Sequence, residues 1–142
     1  MAIDFTDEHN RFADLERASQ RDALTGLLNR RGLRASFSKL TAAEGYSVLA
    51  VDLDGFKQIN DSHGHAAGDE VLLETARRLL SCVREADLVC RTGGDKFVLV
   101  IAGTEWAGKA VADRVVATMR APVVLDQGCV EVRASAGGCG AA

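Results

Sequence analysis

The sequence has no excess of basic charge. Its 17 lysines and arginines are outnumbered by 20 acids, for a net charge of -3 and a pI near 5.6. That balance excludes a broad basic surface for a nucleic acid polymer, while a local cluster of Lys or Arg for a small anion such as a nucleotide stays open. Cysteine pairs are missing too. Cys82, Cys90, Cys129 and Cys139 show no Cys-x-x-Cys spacing, which argues against a zinc site or a disulfide framework and for reduced core thiols in a cytoplasmic chain. The first eight residues have neither a basic start nor an apolar core, and no apolar run reaches membrane-spanning length, so the chain reads as soluble, with no membrane segment. His63 and His65 have no third nitrogen or thiol ligand nearby, which favours a structural role over a metal site. No repeat or low-complexity segment appears. What remains is 142 residues, the size of one domain able to bury roughly two thirds of its unfolded surface.

The chain in order predicts an α/β layer with a largely antiparallel sheet. Phe12, Leu15 and Ala18 place a thin apolar stripe on a helix over His9 to Gln20, which needs a partner in its own domain or in a second chain. A polar loop from Asp22 to Arg31 precedes a helix carrying Leu33, Phe37 and Leu40; the loop reads as a helix-capping turn with solvated arginines. Ser47 to Val51 is almost wholly apolar and suits a central strand buried on both faces. From Glu70 to Val83, residues Val71, Leu72, Ala76, Leu79, Leu80 and Val83 share one helix face, with Glu74, Arg77 and Arg78 outward. Leu88 to Cys90 and Phe97 to Ile101 flank a hairpin whose tip is Gly93-Gly94. Trp106, Ala110, Val111, Val115 and Met119 mark another amphipathic helix, ended by Pro122. A last hairpin joins Val123–Leu125 to Cys129–Val132, and the glycine- and alanine-rich tail carries no further helix.

Four stretches carry chemistry. Asp52-Leu53-Asp54-Gly55 ends the apolar strand, where an α/β sheet places ligand chemistry and Asp52 can offer a hard oxygen to Mg²⁺; the alternative is a strand-ending turn. Asn60 and Asp69 could read guanine, a carboxylate accepting from its ring N–H and amine beside an amide for its carbonyl, or Asp69 could cap the helix it precedes. Arg84 and Asp87, three apart, read as a surface ion pair. In the hairpin tip, Gly93-Gly94 permits close approach of a phosphate, and Asp95 and Lys96 follow on opposite faces of the strand.

Together these stretches resemble the GGDEF family of diguanylate cyclases. The resemblance runs through Asp22-x-Leu24-Thr25-Gly26-Leu27-x-Asn29-Arg30-Arg31, then Asp52-x-Asp54-x-Phe56-Lys57-x-Ile59-Asn60-Asp61, Gly64-His65-x-x-Gly68-Asp69, and Arg84-x-x-Asp87-x-x-x-Arg91-x-Gly93-Gly94-Asp95-x-Phe97. It covers roughly residues 20 to 137. It implies a palm-like α+β fold, with a mostly antiparallel central sheet flanked by helices, like those of polymerases and adenylyl cyclases. It further implies a homodimer, each half holding one GTP, that condenses the two to cyclic di-GMP and pyrophosphate with Mg²⁺ or Mn²⁺. By position, Asp52, the Leu53 carbonyl and Asp95 resemble the metal ligands. Asp52, Asp95 and Lys57 resemble the catalytic set, with Lys57 on the triphosphate. Asn60 and Asp69 resemble the guanine readers, Gly93 and Gly94 the phosphate approach, and Arg84 with Asp87 an inhibitory site for the product. Residues 1–20 would be a linker or signalling helix below a sensor, and 21–142 the domain, with a partner domain at either end of a longer protein.

Two departures stand out. Lys96 replaces a family glutamate, and at roughly 4 Å with an effective dielectric near 20 it would repel a divalent ion by several kcal/mol. The chain also stops where the family continues into a final strand and helix with basic triphosphate contacts, implying a C-terminal truncation. Both point to weak or absent turnover. The alternatives are a non-catalytic module that binds GTP or cyclic di-GMP, or a domain kept for dimerisation through residues 5 to 20.

Overall fold

The computed structural model describes residues 19–39, 45–126 and 128–141, with side chains up to 134. The expected N-terminal helix lies outside them except for Ser19 and Gln20, which form a turn, and Leu40 lies outside them too. Helix α1 (Arg30–Phe37) is capped by Asn29, whose side-chain oxygen accepts from the Gly32 amide at 2.9 Å. Strand β1 (Tyr46–Asp54) leads through Gly55, at φ 80°, into α2 (Phe56–His63), and Gly64, at φ 91°, separates α2 from α3 (His65–Cys82). Strands β2 (Leu88–Arg91) and β3 (Lys96–Ala102) form the expected hairpin. After α4 (Glu105–Thr118) come a small hairpin, β4 (Val123–Leu125) with β5 (Gly128–Val130), and the long strand β6 (Arg133–Ala141).

The main sheet has the order β2-β3-β1-β6, with every pairing antiparallel. The glycine- and alanine-rich tail follows β1 over nine residues, from Tyr46↔Ala141 to Asp54↔Arg133. Ladder hydrogen bonds need backbone only, so poor side chains do not prevent that pairing. Leu49, Val51 and Leu53 of β1 and Phe97, Leu99 and Ile101 of β3 pack on Val71, Leu72 and Leu79 of α3 and Val111 and Val115 of α4. Helix α4 lies close on the sheet at Gly108, where a Cβ would stand 2.5 Å from the Cβ and Oγ of Ser47. No described helix is long and apolar enough to cross a membrane.

Several expectations are corrected. Strand β1 runs on through Asp54 and alternates, Ala50, Asp52 and Asp54 being exposed, because α3 and α4 share one sheet face. The polar stretch from Phe56 to Asp69 is helical; its amphipathicity is hidden because only Ile59 of α2 is buried. Arg78 is buried, not outward: its guanidinium donates to the carbonyls of Thr118, Ala121 and Pro122 at 3.4, 2.8 and 3.0 Å, closing the end of α4, and to Glu74 at 3.0 Å. Leu80 and Trp106 are exposed, at 53% and 77%, and Ala110 is exposed as well. Val111, Val115 and Met119 are buried as expected, and Gly108 joins them on the buried face of α4. The last hairpin closes on Gly128–Val130, so Val132 is buried outside it.

Candidate functional site

The hairpin tip is held by one guanidinium. Arg91, the last residue of β2, donates from Nε to the Gly93 and Gly94 carbonyls, both at 3.2 Å, and from a terminal nitrogen to Gly94 at 3.0 Å. Its other terminal nitrogen meets both Asp22 carboxylate oxygens at 3.1 Å. Asp22 also accepts from the Thr25 amide at 2.8 Å and hydroxyl at 2.7 Å. Partial burial pushes the Asp22 carboxyl up, but the Thr25 bonds and the Arg91 guanidinium together outweigh it and hold the carboxyl below its ordinary value. With both glycine carbonyls turned to Arg91, the tip is fixed to the turn that begins the domain.

At the end of β1, Asp52 stands directly opposite Lys96 of β3, and the Leu53 amide donates to the Asp95 carbonyl at 3.1 Å. Asp52 and Lys96 therefore share a sheet face, with Asp95 one residue away on the tip. Lys57 lies exposed in the first turn of α2, whose N-terminus is capped by Gly55 without a side chain. Uncapped first-turn amides beside a lysine suit a phosphate.

Asn60 and Asp69 come from different helices, and Asn60 packs on the residue before Asp69, Gly68. A Cβ on Gly68 would stand 1.8 Å from Asn60 Oδ1, so the Asn60 amide lies against the α3 backbone immediately before exposed Asp69. Asp69 is not a helix cap, because α3 begins at His65 and Asp69 sits a turn inside it.

Arg84 and Asp87 are not a surface pair. The Asp87 side chain is fully buried and accepts from the backbone amides of Arg84 at 2.8 Å and Ala102 at 3.0 Å. The Arg84 guanidinium, 67% exposed, lies 3.9 Å from Asp87 and donates to the Ala102 carbonyl at 2.9 Å. Asp87 builds the turn, and Arg84 presents the cation.

Among the described residues, no three His, Cys, Asp or Glu side chains converge as a metal centre. Mg²⁺ is commonly held by one or two carboxylates plus substrate phosphates. Asp52 and the Leu53 carbonyl lie at one strand end, with the Asp95 backbone bonded to Leu53 across the turn, and these hard oxygen donors are of the kind such an ion takes. Two described cavities, of about 430 and 350 Å³, are lined by none of Asp52, Asn60, Asp69 and Asp95. The candidate site is instead an open edge, with Asp52, Lys57 and Asp69 all exposed.

Nothing in the local sequence marks Asp22, Arg91 or Gly68 for these roles. Asp22 and Arg91 are 69 residues apart, so no local pattern joins them.

A family model described as the diguanylate cyclase GGDEF domain matches residues 19–142. The chain is 46% identical over 106 residues to diguanylate cyclase DgcM of Escherichia coli strain K12, covering 71% of this chain and 26% of that protein. It therefore spans about a quarter of that relative's length. A crystal structure of a sensory box/GGDEF family protein from Caulobacter crescentus superposes with a TM-score of 0.76 at 40% identity, covering 85% of this chain and 83% of that one. Diguanylate cyclase SiaD from Pseudomonas aeruginosa, solved with its activator SiaC, gives 0.76 at 34% identity, covering 96% of this chain and 56% of that one.

Proposed function

Since the chain belongs to the GGDEF family of diguanylate cyclase domains, we propose that the edge formed by β1, α2, the start of α3 and the hairpin tip binds GTP and condenses it, weakly, to cyclic di-GMP. The observation that carries this reading is the packing of the Asn60 amide against Gly68, the residue before exposed Asp69, on the helices that follow the Asp52 strand end. Asp69 accepts from the guanine ring N–H and amine while Asn60 bonds the carbonyl edge, a pattern adenine does not match. Lys57 and the first-turn amides of α2 take the phosphates. The tip backbone, held by Arg91, is open to the triphosphate at Gly94, where a Cβ would meet nothing within 4 Å.

Asp52 and Asp95 with the Leu53 carbonyl would hold Mg²⁺ or Mn²⁺. When bound, the ion neutralises charge developing on the pyrophosphate and lowers the pKa of an attacking hydroxyl. Because the site is an open edge, a second copy facing it would bring the other GTP; each 3′-hydroxyl attacks the facing α-phosphate, gives up its proton to solvent and expels pyrophosphate, and two such steps close the ring. Lys96 opposite Asp52 opposes metal binding and makes turnover weak.

Incubating the protein with GTP and Mg²⁺ and separating the nucleotides by chromatography tests this reading. Slow formation of cyclic di-GMP is expected, rising at least about tenfold, or about 1.4 kcal/mol of barrier, in Lys96→Glu. No product from Lys96→Glu at high protein concentration would remove the enzymatic reading. A second reading, product binding, is favoured by the exposed guanidinium of Arg84 anchored at Ala102. Cyclic di-GMP binding that survives Arg84→Ala would refute that site.

A further inference from the structure

The turn that begins the domain borders an apolar groove. A cavity of about 350 Å³ lies between that turn and the end of α3, lined by Leu28, Val83, Leu88 and the half-exposed Leu80, with Arg21 and Arg84 as its cations and Glu85 as an acid. Asp87 also lines it, but its carboxylate is held by two backbone amides. Apolar side chains left open to water beside two arginines suit an apolar segment flanked by acids.

The chain itself arrives at this groove. Ser19 accepts from the Asn29 side-chain amide through its carbonyl and from Arg31 at 3.2 Å through its Oγ, and the Gln20 carbonyl accepts from the Asn29 amide at 3.0 Å. Arg21 then bridges to Leu28. Residues 1–18, outside the described residues, are therefore tethered close to a groove wall. They carry the apolar stripe of Phe12, Leu15 and Ala18, and five acids against two arginines. As the helix their spacing predicts, at about 1.5 Å per residue, Leu15 lies about 6 Å and Phe12 about 10 Å along the chain from Ser19. That is short enough for the stripe to turn back on the groove that Arg21 lines. So short a tether gives an effective concentration of order millimolar, which favours this segment over one from a second copy.

We propose that the groove is the docking site for residues 9–18 of the same chain: Phe12 and Leu15 cover Leu80 and Val83, while Asp14 and Glu16 meet Arg21 and Arg84. The interface shares Arg84 with the site considered for cyclic di-GMP but does not depend on nucleotide binding.

Limited trypsin digestion of the whole chain, followed by mass spectrometry, tests it at the bond after Arg11. Cleavage there should be at least about tenfold slower than in a synthetic peptide of residues 1–20, because it tracks the undocked fraction. Leu80→Asp in the groove, and Leu15→Asp in the segment measured against a peptide with the same change, should each return the rate to within about threefold of the peptide. Leu80 is 53% exposed, so its substitution removes little core packing, and an unchanged urea midpoint confirms the fold. Val124→Asp, at a side chain 78% exposed and outside the groove, should keep the protection. Wild-type cleavage at the peptide's rate, protection that persists in Leu80→Asp, or protection lost in Val124→Asp overturns the proposal. Protection that disappears on about hundredfold dilution, as a dimer seen by size exclusion dissociates, seats a second copy in the groove and overturns docking within one chain.

Discussion

Replacing Gly68 by alanine separates folding from recognition. The new methyl carbon would stand 1.8 Å from Asn60 Oδ1, 2.9 Å from its Cγ and 3.4 Å from its Nδ2. The overlap is confined to the far end of one half-exposed side chain, so Asn60 rotates away and the helices stay in place. Alanine within α3 gains up to about 1 kcal/mol of helix propensity over glycine, against about 1 kcal/mol for moving Asn60 off its preferred rotamer. Stability should therefore change by less than about 1 kcal/mol, measured by urea denaturation. Recognition should not survive so well. Losing the Asn60 bond removes about 1 kcal/mol, and up to about 3 where the guanine carbonyl is left without a partner, so GTP affinity should fall roughly five- to hundredfold. Calorimetry on the variant, with ATP as the control, reads this directly. A variant as stable as wild type with unchanged GTP affinity would refute the role given to Asn60, and one that fails to fold would show that Gly68 serves packing instead.

Arg91→Ala should cost about 2 to 3 kcal/mol by urea denaturation, because it strips partly buried Asp22 of its cation and frees the Gly93 and Gly94 carbonyls; a loss under about 0.5 kcal/mol would show that the tip holds itself. Acid should weaken the fold through Asp22 and Glu74. Bonding from Arg77, with Arg78 adding to it, holds the Glu74 carboxyl at about 2 against an ordinary value of 4.5. A carboxylate with a depressed folded-state pKa lends stability above its unfolded pKa and loses it as pH falls through the folded one. The urea midpoint should therefore decline as pH drops from about 4.5 towards about 2, and a combined Asp22→Asn, Glu74→Gln variant should show a flatter decline. Burial pushes the Cys90 thiol up to about 11, and Cys82 is buried as well, whereas Cys129 is exposed. Iodoacetamide followed by mass spectrometry should mark Cys129 in the native protein and the two buried cysteines only after unfolding; early labelling of Cys90 would contradict the packing of β2.

The elements with strong periodicity were legible in the sequence. The hairpin around Gly93-Gly94 stands where apolar spacing puts it, and the strand at Ser47–Val51 and the helix over Glu70 form as spaced but run on, to Asp54 and back to His65. Asn60 and Asp69 stood out in the sequence as polar groups, though the packing of Asn60 on the residue before Asp69 did not. It depends on a glycine whose missing side chain leaves no trace in hydropathy. Arg78 read as outward-facing and Arg91 carried no role, because a guanidinium gives no sign of which carbonyls it will reach; one closes α4 and the other holds the tip. Trp106 misled in the opposite sense: its size suggested core, but α4 approaches β1 through Gly108, which leaves Trp106 outside under the Lys109 ammonium.

Guanine selectivity tests the site most directly. Calorimetric titration of the purified chain with GTP and, separately, with ATP should show GTP binding at least about tenfold tighter, as expected where two groups pair with a base edge that the competitor lacks. Equal affinity for the two nucleotides, or no binding of GTP, would contradict the assignment of Asn60 and Asp69.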